Sequence, residues 1–196
     1  RAGGKASSFA VERFVELIEE SEQTDPIELM KTCIATVNQE IIAESKENEK
    51  YAGMGTTFVA ATVSDHKVTV MNIGDSRLYY GNKELKQITV DHSYVEELIN
   101  AGMLDREQGR IHPKKNVITR ALGSQVATPD FFEFEVEEGY LLLCSDGLSN
   151  MISNDELKEL LLDHDQIANK INKMIARANE YGGKDNISLV IVDLKR

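Results

Sequence analysis

The order of helix-like and strand-like patterns along this chain constrains its fold more than any single motif does. Two helical patterns come first, followed by four strand-like runs, an insertion, two strands, two helices and a final strand. The insertion begins with a short helical pattern over 95–99 that stops at Gly102 and is irregular beyond it. Because helices and strands do not alternate one by one, the order favours antiparallel sheets covered by paired helices over a doubly wound parallel sheet. The predicted fold class is therefore α+β.

Local signals support this order. Apolar residues recur at helical spacing over residues 5–20, and a second helix is predicted to start at Asp25-Pro26, an N-cap followed by a proline in the first turn. Further along, Ser64-Asp65-His66 and Gly81-Asn82 each separate two β-rich runs, as hairpin turns do. The strongly apolar run 140–144 predicts a buried strand.

Length, charge and cysteine content narrow the class of protein. With 196 residues, a single domain over 1–196 is expected. The net charge of -11 argues against nonspecific binding to nucleic acid, and no apolar stretch approaches the length of a membrane span. Cys33 and Cys144 lie in apolar patterns, so we expect buried, reduced thiols in a cytoplasmic protein.

Three short stretches each place one aspartate beside an apolar, strand-like run. They are Gly74-Asp75-Ser76-Arg77, Ser145-Asp146-Gly147-Leu148 and Gly183-Lys184-Asp185-Asn186. Carboxylates at the ends of core strands can converge on one rim of a sheet, where they repel unless a cation or a proton lies between them. Oxygen ligands alone suit a hard divalent ion, so the pattern predicts a site for Mg2+ or Mn2+.

Each aspartate also has a simpler interpretation, because an aspartate at a strand end is commonly a turn or cap residue. Taken alone, Asp75 and Asp185 are ordinary turn residues. Asp146 differs, since it follows a nonpolar run and precedes Gly147, a position at which its charge needs a partner.

Five motifs stand in one order along the chain. They are Gly53-Met54-Gly55-Thr56-Thr57, Asn72-Ile73-Gly74-Asp75-Ser76-Arg77, Asp91-His92-Ser93, Ser145-Asp146-Gly147-Leu148 and Lys184-Asp185-Asn186-Ile187-Ser188. Together they resemble the metal-dependent serine/threonine protein phosphatases of the PP2C (PPM) family, in its compact bacterial form. The resemblance covers nearly the whole chain, and five motifs in order are far more specific than any one of them.

The resemblance implies the family's α-β-β-α sandwich, in which two stacked antiparallel sheets are flanked by pairs of helices. It also implies hydrolysis of phosphoserine and phosphothreonine by a water that bridges two Mn2+ or Mg2+ ions. Asp146 and Asp185 match aspartates of that binuclear centre, which makes them the implied catalytic and metal-binding residues. Asp75 matches the aspartate that, in several relatives, helps hold a third, weaker ion beside Asp146, and residues 93–120 match a mobile flap.

The start of the chain departs from the family pattern. Family members begin with a strand that carries a phosphate-clamping arginine and an acid, followed by a strand that ends in an Asp-Gly-x-Gly-Gly turn. Residues 1–7 resemble the segment after that turn, so we expect a chain without the N-terminal strands and without the bridging aspartate. We therefore expect the complete parent protein to be the active phosphatase and the 196-residue chain alone to be inactive.

The implied partners are phosphoproteins, including a serine/threonine kinase that the enzyme opposes. Basic residues cluster in the predicted flap of this acidic protein: Arg106, Arg110, Lys114, Lys115 and Arg120. They form either a solvated surface loop or a surface that attracts an acidic phosphopeptide. Two non-enzymatic alternatives remain, a noncatalytic PP2C-like domain that binds a partner or regulates, and a plain metal-binding regulatory module.

Overall fold

The computed structural model describes residues 2–194. Its helices are α1 Gly3–Glu20, α2 Pro26–Glu47, α3 Tyr94–Asn100, α4 Arg106–Ile111, α5 Asp146–Ser149, α6 Asn154–Leu162 and α7 Ile167–Glu180, with a short 3-10 turn at Glu49–Tyr51. Its strands are β1 Phe58–Ser64, β2 Lys67–Ile73, β3 Arg77–Gly81, β4 Leu85–Gln87, β5 Asp130–Glu135, β6 Tyr140–Cys144 and β7 Leu189–Asp193. The predicted order and the α+β class are confirmed.

The strands form two sheets, one with the order β1-β2-β5 and one with the order β4-β3-β6-β7. In the four-stranded sheet every neighbouring pair is antiparallel. The central strand β6 lies between β3 and β7, and its last residue, Cys144, is opposite Arg77 of β3 and Leu189 of β7. Both predicted hairpins are present, because β1 and β2 are separated only by Asp65 and His66 and β3 pairs directly with β4.

The described chain divides into two compact units. The first comprises residues up to Thr62 together with Met71–Asp75 and Asp91–Phe131, and the second comprises Val63–Val70, Ser76–Val90 and the chain from Phe132 onward. Helices α1 and α2 supply much of the first unit's apolar core, with Phe14, Ile34 and Ile41 among its buried side chains. Helices α5 to α7 pack on the four-stranded sheet in the second unit, whose buried core includes Leu142, Leu148, Leu157, Leu161 and Met174.

Two helices were not predicted. The sequence pattern indicated an irregular stretch after Gly102, but α4 forms there because Asp105 accepts the N–H of Gln108 while the Gln108 side chain accepts the N–H of Asp105. This reciprocal cap satisfies two helix-end donors and stabilises a short helix with little apolar periodicity. The one-turn helix α5 begins at Asp146 itself.

Cys33 and Cys144 are both buried free thiols, as predicted. None of the helices formed by residues 2–194 combines the length and the apolar character that crossing a bilayer requires.

Candidate metal centre and active site

Asp146 lies directly beyond the end of the central strand β6. Ser145 occupies the N-cap position of the short helix α5 without a side-chain capping bond, and Asp146 is the first residue of the helix. The side chain of Leu148 is fully buried and anchors this turn in the core of the second unit. The Asp146 carboxylate accepts a hydrogen bond from the Asn150 amide at 3.1 Å. A strand with neighbours on both sides therefore ends in a half-buried carboxylate whose backbone is held by core packing.

Asp185 lies before β7, on the loop that follows helix α7. Gly182 and Gly183 both have positive φ, 122° and 50°, which glycine adopts at little cost where a helix turns into a loop. Asp185 is exposed, and its Oδ1 accepts the N–H of Asn186 at 2.7 Å. This local bond holds the carboxylate close to its own backbone.

Backbone contacts fasten the segments that carry Asp146 and Asp185 to each other. Ser145 donates its N–H to the carbonyl of Ser188 at 2.9 Å, and its hydroxyl donates to the carbonyl of Asn186 at 3.1 Å. The same hydroxyl accepts the N–H of Ser188 at 3.0 Å. The end of β6 and the segment that enters β7 are thus one hydrogen-bonded unit.

Gly147 makes this approach possible. A Cβ at position 147 would collide with the carbonyl oxygen of Asn186 and would lie 3.4 Å from the carbonyl carbon of Asp185. A side chain of any kind at this position would push the two segments apart. The structure therefore places the neighbours of Asp146 and Asp185 in van der Waals contact, which confirms that the two strand ends meet.

The donor chemistry of this pair fits a hard divalent cation. Both side chains are carboxylates at adjoining strand ends, and Mg2+ in proteins is commonly bound by one or two carboxylates with waters in the remaining positions. Within residues 2–194, no three His, Cys, Asp or Glu side chains lie close enough together to hold a metal ion. Asp146 and Asp185 thus fit part of a metal site and do not form a closed protein cage.

Asp75 belongs to the first unit and follows strand β2. Gly74 before it has φ 110°, and a Cβ there would collide with the side chain of Thr57, so the loop requires glycine. The carbonyl of Gly74 accepts hydrogen bonds from the Asn72 side chain at 3.1 Å and from the backbone N–H of His92 at 2.9 Å. The conformation of the Asp75 loop is therefore set by glycine and by bonds from outside the loop.

His92 is the residue whose role was least apparent in the sequence. Its side chain is only 4% exposed, and its Nε2 lies 2.9 Å from Oδ2 of Asp130. Arg120 donates to Oδ1 of the same carboxylate at 2.7 Å. Burial raises the pKa of Asp130, but the hydrogen bonds from His92 and Arg120 together outweigh burial, and the pKa is lowered below its usual value.

The predicted flap, residues 93–120, contains α3 and α4. Its ends are joined by a β-bridge between Ser93 and Ile118. Two of its five basic residues are committed to carboxylates, since Arg106 forms a two-point ion pair with Glu96 at 2.8 and 3.0 Å and Arg120 binds Asp130.

The other three basic residues of this segment remain on its surface. Lys114 lies over the ring of Tyr94, with its nitrogen 5.0 Å from the ring centroid. The side chains of Arg110 and Lys115 are exposed and form no ion pair with the described residues. Arg110, Lys114 and Lys115 are thus the charges that can face a partner.

A family model described as Protein phosphatase 2C matches residues 1–190. The chain belongs to the protein phosphatase 2C family. The serine/threonine phosphatase stp of Listeria monocytogenes is 38% identical over 200 residues, which cover 98% of this chain and 79% of that protein. This confirms the predicted family and, with it, an enzyme of the PP2C type.

Solved structures agree with the family assignment. Serine/threonine phosphatase Stp1 from Staphylococcus aureus superposes with a TM-score of 0.95 at 31% identity, covering 100% of this chain and 80% of that chain. The catalytic domain of the serine/threonine protein phosphatase PstP was solved in complex with two manganese ions. It superposes with a TM-score of 0.87 at 30% identity, covering 98% of this chain and 81% of that chain. The PP2C family is metal-dependent, in agreement with the carboxylates described above.

Proposed function

We propose that this protein hydrolyses phosphoserine and phosphothreonine in other proteins, using Asp146 and Asp185 as catalytic metal ligands. The observation that carries the proposal is the fastening of the two aspartate-bearing strand ends around Gly147, inside a chain that matches the family over residues 1–190. The related protein of Listeria monocytogenes is named a serine/threonine phosphatase, which supports the substrate class.

The proposed cofactor is Mn2+ or Mg2+, as two ions and a weaker third. Asp146 and Asp185 would hold the main pair, and Asp75 would contribute to the third. When bound, such ions lower the pKa of a water to make it a nucleophile at neutral pH, and they neutralise charge on the phosphoryl oxygens. The protein's own contribution would be to hold together the two segments that carry these carboxylates, and the Ser145 and Gly147 contacts support this role.

Residues 93–120 are proposed to be a substrate-facing flap within a single PP2C-like domain that spans 1–196. Its exposed cations would attract acidic phosphopeptides to a protein whose net charge is -11. Phosphoproteins are the proposed partners, and a serine/threonine kinase is among them. The net charge of -11 gives no support for nucleic-acid binding.

The location we propose is the cytoplasm. Cys33 and Cys144 are both free and buried, and thiols of this kind persist in a reducing compartment.

A second candidate, a noncatalytic PP2C-like binding or regulatory domain, is favoured by one observation. Residues 2–194 bring no third metal-binding side chain to Asp146 and Asp185. A site with so few charged oxygens holds divalent ions loosely. We accordingly propose that the 196-residue chain alone binds metal weakly and turns over little substrate.

The deciding experiment measures hydrolysis of a phosphothreonine peptide by the natural full-length protein, with and without Mn2+. We expect Mn2+-dependent release of phosphate that a chelator abolishes and that Asp146→Asn removes. Asp155→Asn is the matched control, because it removes the same charge from an exposed position in the first turn of α6. Metal-independent turnover, or no turnover at all in the full-length protein, would leave the binding-domain alternative.

A further inference from the structure

The imidazole of His92 makes a defined hydrogen bond at each nitrogen. Its Nδ1 accepts the backbone N–H of Gly74 at 3.1 Å, and its Nε2 lies 2.9 Å from Oδ2 of Asp130. Because a backbone N–H can only donate, Nδ1 must be the unprotonated nitrogen. The ring proton is therefore on Nε2 and is donated to Asp130, so Nη1 of Arg120, 3.3 Å from Nε2, makes a close contact there without a hydrogen bond.

The backbone of His92 repeats the connection that its ring makes. Its N–H donates to the carbonyl of Gly74 at 2.9 Å, and its own carbonyl accepts the N–H of Thr119 at 2.8 Å. Residue 92 is thus bonded twice to the glycine that precedes Asp75. It is also bonded to Thr119, next to Arg120 at the end of the flap segment.

Asp130 is itself fixed by the flap. Arg120, the last residue of the 93–120 segment, donates to Asp130 at 2.7 Å and to the carbonyl of Thr128 at 3.3 Å. The chain of contacts therefore runs from Arg120 through Asp130 and the His92 ring to Gly74. All of these residues belong to the first compact unit.

We propose that His92 is a positioning residue that fixes the Asp75 loop to the end of the flap segment at Thr119 and Arg120. This inference rests on the proposed function, because it gives Asp75 the role of a metal ligand. The burial of the ring and the engagement of both nitrogens leave neither nitrogen to exchange a proton with a substrate. His92 therefore acts through the loop it holds and is not a catalytic acid or base.

The two nitrogens can be tested separately with two amide variants. In His92→Asn the side-chain oxygen can occupy the place of Nδ1 and accept from Gly74, but the side chain is too short to reach Asp130. In His92→Gln the amide nitrogen can occupy the place of Nε2 and donate to Asp130, but the acceptor for Gly74 is lost. His66→Asn is the control, since the His66 ring bonds to Val136 and belongs to the second unit.

The first readout is amide hydrogen exchange at Gly74 in the full-length protein without added metal. We expect exchange to rise strongly in His92→Gln and to stay near wild type in His92→Asn and His66→Asn, because only the Gln variant loses the acceptor. The second readout is the Mn2+ concentration that gives half-maximal turnover. We expect it to rise about tenfold in His92→Gln, with KM for p-nitrophenyl phosphate unchanged, as for residues that orient metal ligands.

Equal exchange at Gly74 in the Asn and Gln variants would overturn the proposal, because it would show that Nδ1 does not hold the loop. An unchanged Mn2+ requirement in His92→Gln, despite faster exchange, would overturn the link from the loop to the metal. If the wild-type protein has no Mn2+-dependent turnover, the proposed function fails, and the metal role of the loop fails with it. The exchange measurement uses neither metal nor substrate, so the two failures are distinguishable.

Discussion

The strand-end pair Asp146 and Asp185 and the loop residue Asp75 are held in place by different means. The backbones around Asp146 and Asp185 are joined by sheet pairing, by the hydroxyl of Ser145 and by the close approach at Gly147. The loop of Asp75 instead depends on the side chain of His92, which is supported in turn by Asp130.

The difference separates two carboxylates beside paired strands from one whose loop is held by the side chain of His92. Backbone hydrogen bonds between neighbouring strands fix a position with little dependence on single side chains. A loop held by an imidazole and an ion pair can move when one partner is lost. In the proposed site, this contrast would leave the ligands at the strand ends less sensitive to single side-chain substitutions than the ligand at the loop.

The largest effect should come from neutralising the strand-end carboxylates in the full-length protein. Asp146→Asn and Asp185→Asn keep the size of the side chain but lose the charge that holds a divalent ion. We expect each to lower Mn2+-dependent hydrolysis of a phosphothreonine peptide by at least about 100-fold, since metal stabilisation of transition-state charge amounts to several kcal/mol. Near-normal turnover at saturating Mn2+ would remove that residue from the ligand set.

The next effect tests the backbone contact itself. Gly147→Ala places a methyl group against the carbonyl oxygen of Asn186, and we expect the free energy of unfolding to fall by about 1–3 kcal/mol. Gly4→Ala is the control, because Gly4 lies in helix α1 with open space around it. Alanine at this position should stabilise the protein slightly. Urea titrations of both variants measure the change, and equal stability of Gly147→Ala and wild type would show that this close approach is dispensable.

Asp75→Ala should have a smaller effect than either strand-end variant. If Asp75 holds only a weaker ion, turnover should fall about tenfold while calorimetry still detects two tightly bound Mn2+ ions. Loss of all metal binding would place Asp75 with the strand-end pair and would end the contrast between the two regions. Unchanged turnover and binding would return Asp75 to the role of a turn residue.

The smallest effect should come from the flap. In Lys114→Ala/Lys115→Ala we expect hydrolysis of an acidic phosphopeptide to fall by less than about tenfold at low salt, with less effect on p-nitrophenyl phosphate. Lys83→Ala/Lys86→Ala serves as the charge-matched control, because it removes two exposed lysines that lie in β4 or in the loop before it. Equal losses on both substrates at low and high salt would exclude the flap from electrostatic attraction.

The sequence predicted the sheet-based features better than the loop-based ones. The apolar run that became β6 is followed by a motif with aspartate, and the run that became β7 is preceded by one. Both strands followed from local pattern, and the expected convergence of their ends agrees with the antiparallel pairing of β6 and β7. His92 stood in the sequence only as part of the motif Asp91-His92-Ser93, which gave no partner for its ring.

The network around His92 could not be predicted in the same way. Asp130 lies 38 residues from His92, and no periodicity or motif connects the two. Arg120 was grouped with the other basic residues of the flap, although its side chain is committed to Asp130. Tertiary ion pairs of this kind depend on the finished fold, whereas hairpins and strand ends are encoded locally.

The division of the chain into two compact units has a consequence for how the protein is made. The backbone passes from one unit to the other after Thr62, Val70, Asp75, Val90 and Phe131, so neither unit is encoded by one continuous stretch. Each must close long loops before its contacts form, which slows folding and leaves partly folded chains open to aggregation. During synthesis on the ribosome, the first unit has to wait for Phe131 to emerge before its core can be completed.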